Sequence, residues 1–186
     1  MSKLMVLLPN GYEEIEALTV VDFCRRAGIE VDMVSVTGDL NTVGDHNIVI
    51  KADKKIEDIA LSDYMGLVTP GGMPGTKMLK ENAKVLDTVK KFFDENKLVA
   101  SICASPMVLE AAGVAPEIEG TIYPGLEGEM NFKKFIEKPV VKYENVITSR
   151  GPATAPLFAY EIIEYIAGKE AAEKVKGGTL AEMVFK

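Results

Sequence analysis

The sequence predicts an α/β fold with a mostly parallel central sheet. Short apolar runs alternate with longer segments of helical periodicity along the chain, a pattern typical of α/β domains. The first run, Lys3 to Leu8, is apolar after its first residue, as expected for a strand covered on both faces. The 186 residues contain no repeat, low-complexity tract or linker, so we expect a single domain over residues 1–186.

Strands are predicted where a short apolar run is bounded by turn-forming or polar residues. These runs are Lys3 to Leu8, Ile29 to Val36, Gly66 to Thr69, Leu98 to Ile102, and a hairpin of Val140 to Tyr143 with Val146 to Thr148. Val43 to Ile50 is expected to be an antiparallel or edge piece. The Gly-, Glu- and Pro-rich segment from Gly113 to Lys138 is expected to be a loop with a short strand at Thr121 to Tyr123.

Helices are predicted where apolar residues recur at helical spacing and a capping residue or glycine marks an end. The predicted helices are Glu13 to Ala27 before Gly28, Thr76 to Asn96, a helix that opens at Ser105 and Pro106 and ends at Gly113, Thr154 to Ala167, and Lys169 to Lys176. The second of these is expected to break near Asn82.

Composition excludes several classes of protein. The net charge of −7 comes without a basic cluster, which argues against nucleic acid as the main partner. Two cysteines are too few for a disulfide framework and suit a reducing compartment. The apolar run at the N-terminus stops at Pro9, too early for a signal peptide or a membrane span. We therefore expect a cytoplasmic protein with no membrane partner.

Cys103 lies where a predicted strand turns sharply into a predicted helix. Such a turn exposes a side chain at the carboxyl end of a sheet, as in the nucleophile elbow of hydrolases. The nearby helix N-terminus carries a partial positive charge and favours a thiolate, so the sequence predicts a low pKa for this thiol. The alternative is that Cys103 is a small buried apolar residue.

Glu16 is the second candidate site residue. The acids Glu13 and Glu14 are explained by the first turn of a helix, where they complement the helix dipole. Glu16 instead projects close to Phe23 on the apolar side of that helix. A carboxyl group there tends to have a raised pKa and can donate or transfer a proton. The alternative is an ordinary solvated carboxylate.

Two further loops follow predicted strands. The stretch from Thr69 to Gly75 has glycines whose backbone N–H groups can approach an anion, although its spacing is not that of a phosphate-binding loop. A tight turn is the alternative. The stretch from Thr148 to Thr154 can either cap a helix or place Arg150 beside the site.

These segments together resemble the ThiJ/PfpI family, and within it the branch that contains the parkinsonism-associated protein deglycase. The matching motifs are Gly11 to Glu16, Pro70 to Gly72, Ser101 to Pro106 and Ser149 to Pro152. The resemblance implies a flavodoxin-like three-layer sandwich and a homodimer. It also implies that Cys103 is the reactive nucleophile, that protonated Glu16 hydrogen-bonds its sulfur, and that backbone N–H groups of Gly72 and Ala104 form an oxyanion pocket.

One departure from the family pattern limits the chemistry. The peptidase-like branch has a histidine directly after the nucleophile, where this chain has Ala104, which makes a Cys–His peptidase the least favoured activity. The deglycase branch has a histidine before a proline, and the matching residue here is Tyr123. His46, the one histidine, falls in the predicted edge hairpin and is expected to be exposed. A phenol is a poor general base near neutral pH.

Two active functions remain open on the sequence, and a purely structural protein with an inert thiol is the third alternative. The first is a cofactor-independent, metal-independent enzyme of the glyoxalase or deglycase type, which acts on small reactive carbonyls or their adducts through Cys103 and Glu16. Tyr123 and Arg150 are candidate supporting residues. The second is a redox sensor or oxidative-stress chaperone in which Cys103 is oxidised and Glu16 stabilises the oxidised sulfur.

Overall fold

A computed structural model describes residues 3–185 of the chain. Eleven strands are present in this range, and seven of them form one sheet. In chain order the strands are β1 (Lys3–Leu8), β2 (Val31–Ser35), β3 (Asn41–Val43), β4 (Val49–Lys51), β5 (Lys54–Lys55), β6 (Tyr64–Thr69), β7 (Leu98–Ile102), β8 (Glu119–Gly120), β9 (Lys134–Phe135), β10 (Val140–Tyr143) and β11 (Val146–Ser149).

Six α-helices accompany the strands in the same range. They are α1 (Glu14–Arg26), α2 (Met73–Glu81), α3 (Ala83–Asp94), α4 (Pro106–Ala111), α5 (Ala155–Ala167) and α6 (Lys169–Gly178). Asn82 separates α2 from α3, and its side chain accepts a hydrogen bond from the Val85 N–H as the N-cap of α3. The predicted break near Asn82 is therefore confirmed. No helix among the described residues is long and apolar enough to cross a membrane.

The large sheet has the strand order β10-β11-β7-β6-β1-β2-β5. All neighbours are parallel except β10, which pairs antiparallel with β11. Helices cover both faces, and the central strand β1 shows why both are apolar: Leu4, Val6 and Leu8 pack into the core beside α1 and α5, while Met5 and Leu7 pack into the core beside α3. The fold is the predicted α/β sandwich with a mostly parallel sheet.

Short elements account for the differences from the sequence prediction. The piece from Val43 to Ile50 is the hairpin of β3 and β4, which pair only with each other. The strand predicted at Thr121 to Tyr123 is wrong, because the backbone pairs two residues earlier, where β8 runs parallel to β9. The two-residue strand β5 has no apolar pattern and was not predicted. Elements this short are set by their tertiary neighbours and leave little periodicity in the sequence.

Candidate active site

Cys103 occupies the turn that follows β7, in the left-handed backbone conformation with φ 63°. Its N–H donates to the carbonyl oxygen of Ser149 at 3.0 Å, and its own carbonyl oxygen accepts from the N–H of Tyr123 at 2.9 Å. These two bonds hold the turn to the neighbouring chain segments. The thiol is half-buried, whereas the second cysteine, Cys24, is fully buried in the core. Of the two thiols, only that of Cys103 is therefore accessible to small molecules in solution.

Gly71 allows Cys103 to approach Glu16. A Cβ atom at position 71 would lie 2.5 Å from the Cys103 Cβ, 3.0 Å from Cys103 Sγ and 2.5 Å from Glu16 Oε2. Distances that short are not tolerated, so the thiol and the carboxyl group can share this space only because residue 71 has no side chain. The loop after β6 thus brings together residues from α1 and from the turn after β7.

Glu16 is completely buried on the sheet side of α1. Its Oε2 accepts a hydrogen bond of 2.7 Å from the Gly71 N–H, while its Oε1 has no hydrogen-bond partner in the part of the chain that the structure describes. Burial raises the pKa of this carboxyl to about 7, against the opposing effects of the Gly71 N–H and the Cys103 thiol, and the charge of Glu13 raises it further. Near neutral pH the group is poised to carry or release a proton.

The pKa of the Cys103 thiol is raised to about 12, first by burial and then by the charge of the Glu16 carboxylate and its contact with the thiol. The low thiol pKa predicted from the sequence is therefore wrong while Glu16 is ionised, because a like charge and burial outweigh the nearby backbone dipoles. The backbone N–H groups of Ala104 and Gly72 act in the other direction and lower the thiol pKa. They face the sulfur, at the position where the family resemblance implies an oxyanion pocket.

The thiol and the carboxyl group titrate as one pair. The first proton leaves the pair near pH 7, since that is where Glu16 titrates beside a protonated thiol. If the remaining proton is on Glu16, the repulsion that raises the thiol pKa is absent, and the carboxyl O–H can donate to the sulfur. Burial still raises the thiol pKa in that form, so the thiolate is reached when the proton passes from the sulfur to Glu16, with one acid and two N–H groups then facing it.

Tyr123 and Arg150 lie at the edge of the site. The Tyr123 side chain is 46% exposed, and its ring packs over Gly151, where a Cβ atom would lie 3.4 Å from the ring. Its link to Cys103 in the described structure is the backbone hydrogen bond. Arg150 forms ion pairs with Glu127 at 3.4 Å and Glu137 at 3.2 Å. In the described structure its ion-pair partners are these two acids, and it makes no ion pair with Glu16.

Glu14 and His46 form a pair that the sequence analysis missed. Glu14 is only 5% exposed, and it accepts from the His46 backbone N–H at 2.8 Å and contacts His46 Nδ1 at 2.8 Å. The helix-dipole explanation of Glu14 is therefore incomplete. With Glu13 these side chains are the one group among residues 3–185 whose metal-binding atoms all lie within 4.8 Å of one another. The ion pair accounts for that arrangement, and we assign no metal to it.

Comparison with known proteins points to one family. Residues 2–165 match the family model described as the DJ-1/PfpI family. The chain is 37% identical over 178 residues to protein dj-1beta of Drosophila melanogaster, covering 95% of each chain. It is 36% identical over 176 residues to the Parkinson disease protein 7 homolog of Danio rerio, covering 92% of this chain and 93% of that one.

Solved structures give the same result for the fold. The crystal structure of Drosophila melanogaster DJ-1beta superposes with a TM-score of 0.92 at 37% identity, over 97% of this chain and 98% of that one. The oxidised DJ-1 of Toxoplasma gondii superposes with a TM-score of 0.92 at 32% identity, again over 97% and 98% of the two chains. The architecture is thus flavodoxin-like, as in these DJ-1 structures.

Proposed function

This chain belongs to the DJ-1/PfpI family, and on that premise we propose that it is a cofactor-independent enzyme that converts small 2-oxoaldehydes, or their early adducts, through Cys103. One observation carries the proposal. A half-buried thiol, a buried carboxyl group with a pKa of about 7, and the backbone N–H groups of Gly72 and Ala104 converge beside Gly71. This set provides a nucleophile, a proton carrier and two donors for an oxyanion.

The first step forms a bond between sulfur and carbon. The Cys103 thiolate attacks the aldehyde carbon of methylglyoxal, the C=O electron pair moves to the oxygen, and the Gly72 and Ala104 N–H groups face the resulting alkoxide. Protonated Glu16 gives its proton to that alkoxide, which yields a neutral hemithioacetal and a carboxylate. The pair starts with one proton and passes it to the substrate, so no outside acid is needed.

The second step rearranges the substrate without an external oxidant. The Glu16 carboxylate removes the hydrogen on the former aldehyde carbon as a proton and returns it to the neighbouring carbonyl carbon, while the hydroxyl proton of the hemithioacetal moves to the neighbouring oxygen. The first carbon is oxidised to a thioester while the second is reduced to an alcohol. Water cleaves the thioester, releases lactate and restores the thiol. The buried, unpartnered Oε1 of Glu16 leaves one oxygen atom available for these transfers.

The position of His46 supports this mechanism over peptidase chemistry. A Cys–His peptidase needs an imidazole within hydrogen-bond reach of the sulfur. His46 is the only histidine in the chain, and its ring is 67% exposed and bound to Glu14. Proton transfer at Cys103 therefore falls to Glu16.

The test is lactate formation from methylglyoxal by the purified protein. Cys103→Ala is expected to abolish it, and Cys24→Ala is the matched control, because it removes the other thiol of the chain without touching the site. Lactate formation that survives Cys103→Ala would refute the mechanism. No lactate from the wild-type protein, at a methylglyoxal concentration that converts Cys103 to its hemithioacetal, would refute the activity itself.

A second candidate function is oxidation sensing by the same thiol. The favouring observation is the contrast between half-buried Cys103 and fully buried Cys24, together with a carboxyl group that can donate to an oxidised sulfur. Peroxide at low concentration is expected to add oxygen to Cys103 before Cys24 and the nine methionines, as measured by mass spectrometry of peptides. Equal oxidation of all these residues would exclude a sensor.

We also propose that the chain forms a homodimer through the apolar side chains around the start of α1 and the β3–β4 hairpin. Ile15 is 55% exposed, Ile48 49% and Val49 61%. The hairpin is tied to α1 by the Glu14–His46 pair, so these side chains belong to neighbouring parts of one surface. Sedimentation of Val49→Lys against the wild type tests the dimer, which the variant should weaken. A wild-type protein that sediments as a monomer at micromolar concentration would contradict it.

A further inference from the structure

A series of hydrogen bonds leads from α2 and from the residue before α4 towards the Glu16 carboxyl group. Ser105 is fully buried, and its hydroxyl donates to the carbonyl oxygen of Pro70. Thr76, in α2, is also fully buried, and its Oγ1 lies 3.2 Å from Ser105 Oγ. Ser105 has one hydroxyl proton, which goes to Pro70, so Thr76 is the donor in the second bond.

The bond to Pro70 acts on Glu16 through a single peptide group. The Pro70 carbonyl and the Gly71 N–H are the two ends of the same amide, and the N–H donates to Glu16 Oε2 at 2.7 Å. Hydrogen bonds in series polarise one another, so an amide that accepts at its oxygen becomes a stronger donor at its nitrogen. The hydroxyls of Ser105 and Thr76 therefore strengthen the hydrogen bond from the Gly71 N–H to Glu16, which favours the charged carboxylate. They also hold the Gly71 N–H in the direction of Glu16 Oε2.

We propose that Ser105 is a positioning residue, supported by Thr76, which acts through the Pro70–Gly71 amide to set the pH at which Glu16 releases its proton. The link from Glu16 to turnover rests on the function proposed above, whereas the effect of Ser105 on Glu16 does not require any activity. Nothing in the pattern of the sequence indicated this role, since a serine before a helical proline is already explained as a capping residue.

Two other titratable groups act on Glu16. Glu13, at the N-cap of α1, raises its pKa, and Cys103, in the turn after β7, lowers it. Neither side chain hydrogen-bonds to Ser105 or Thr76 in the described structure. The next amide of the loop is also held separately, because the Gly71 carbonyl accepts from the Glu13 N–H at 2.9 Å. The hydroxyl of Ser105 therefore reaches Glu16 through the Pro70–Gly71 amide.

The experiment is a pH titration of the Glu16 carboxyl carbon by NMR in protein labelled at glutamate, with the resonance assigned by its absence from Glu16→Gln. Ser105→Ala is expected to move the midpoint to higher pH by roughly 0.3 to 0.5, because the Gly71 donor is weakened. Thr76→Val is expected to move it in the same direction by less. Ser105→Thr restores a hydroxyl and is expected to return the midpoint towards the wild-type value.

Thr88→Val is the matched control. Thr88 is also a buried hydroxyl, but it donates to the Lys84 carbonyl within α3, at 2.7 Å, and its loss should leave the Glu16 midpoint unchanged. An unchanged or lowered midpoint in folded Ser105→Ala would overturn the proposal. If Ser105→Ala does not fold, the Thr76→Val titration decides, and an unchanged midpoint there would overturn it. A shifted midpoint in a protein without lactate-forming activity would refute the proposed function alone.

Discussion

Glu14 and Glu16 lie two residues apart on one helix and are both withdrawn from solvent, yet their pKa values move in opposite directions. Burial raises the pKa of each carboxyl. For Glu14 the hydrogen bonds and charge of His46 reverse that effect, so its pKa is lowered. Glu16 has one N–H donor and a thiol beside it, and its pKa rises to about 7. The depth at which an acid is buried and the partner it meets there together decide whether it stabilises the fold or is available for proton transfer.

Enzyme activity should show the largest difference between substitutions of Glu16 and of Glu14. Glu16→Gln removes the transferable proton, and we expect it to lower kcat/KM for methylglyoxal by roughly 100-fold or more, the usual contribution of a general acid or base. Glu14→Gln makes the same chemical change two residues away and should alter the value less than threefold. Steady-state lactate assays of the two variants side by side measure the contrast. Equal losses would mean that both act only through the fold.

The stability of the fold should respond to Glu16 in an unusual direction. Its folded pKa is above its ordinary value of 4.5, so the unfolded chain loses the proton first and stability falls as pH rises from about 4.5 through 7. That difference corresponds to roughly 3 kcal/mol. Glu16→Gln, which mimics the protonated form, is expected to be more stable than the wild type at pH 8 by up to that amount and equal to it at pH 4. Urea unfolding at both pH values tests this, and a variant less stable at pH 8 would refute it.

Glu14 should show the opposite sign and a smaller effect. Its folded pKa is lowered, so its contribution is present above the ordinary value of 4.5 and is lost as pH falls through the folded value. Glu14→Gln weakens the bonds to His46, and we expect a loss of about 1–2 kcal/mol in the free energy of unfolding at pH 7. The loss should shrink on acidification. A loss that stays constant down to pH 3 would show that the charge of Glu14 is unimportant.

His46→Ala should give the smallest change. The pKa of His46 is raised by its hydrogen bond to Glu14 and the charge of Glu13, so its contribution is present below the ordinary value of 6.5 and fades as pH rises through the folded value. We expect a small drop in Tm at pH 6 and less at pH 9, measured by circular dichroism. Without the imidazolium, burial should raise the pKa of Glu14, so this carboxyl no longer adds stability as pH rises through its ordinary value of 4.5. The stability deficit of His46→Ala should therefore vanish on acidification, and a deficit that persists at pH 3 would contradict the pairing.

The sequence predicted the fold well because the central strands β1, β6 and β7 are apolar on both faces and the helices are bounded by glycines and capping residues. The break at Asn82 followed from an N-cap residue within a helical pattern. The placement of Glu16 on the apolar side of α1 followed from helical periodicity, and the residue is fully buried there. Both predictions depend only on local spacing, which a single sequence contains.

The rest depended on contacts between distant segments. The Glu14–His46 pair joins residues 32 positions apart, and the bond from Gly71 to Glu16 joins residues 55 positions apart. The direction predicted for the Cys103 pKa was wrong because the helix N-terminus was visible in the sequence, whereas the burial of the thiol was not, and Glu16 was expected beside the sulfur only in its protonated form. The pKa values at this site depend on contacts between residues that are far apart in the sequence. Local spacing along the chain does not reveal those contacts.

The left-handed conformation of Cys103 has a consequence for the design of the whole molecule. Residues with a Cβ atom adopt this conformation at a penalty of roughly 1–2 kcal/mol, which glycine avoids. The backbone of this turn would therefore be most relaxed with glycine, which has no side chain and so no thiol. At position 103 the residue that best stabilises the backbone has no reactive thiol. Screens for a higher Tm would therefore select variants that have lost the chemistry of Cys103.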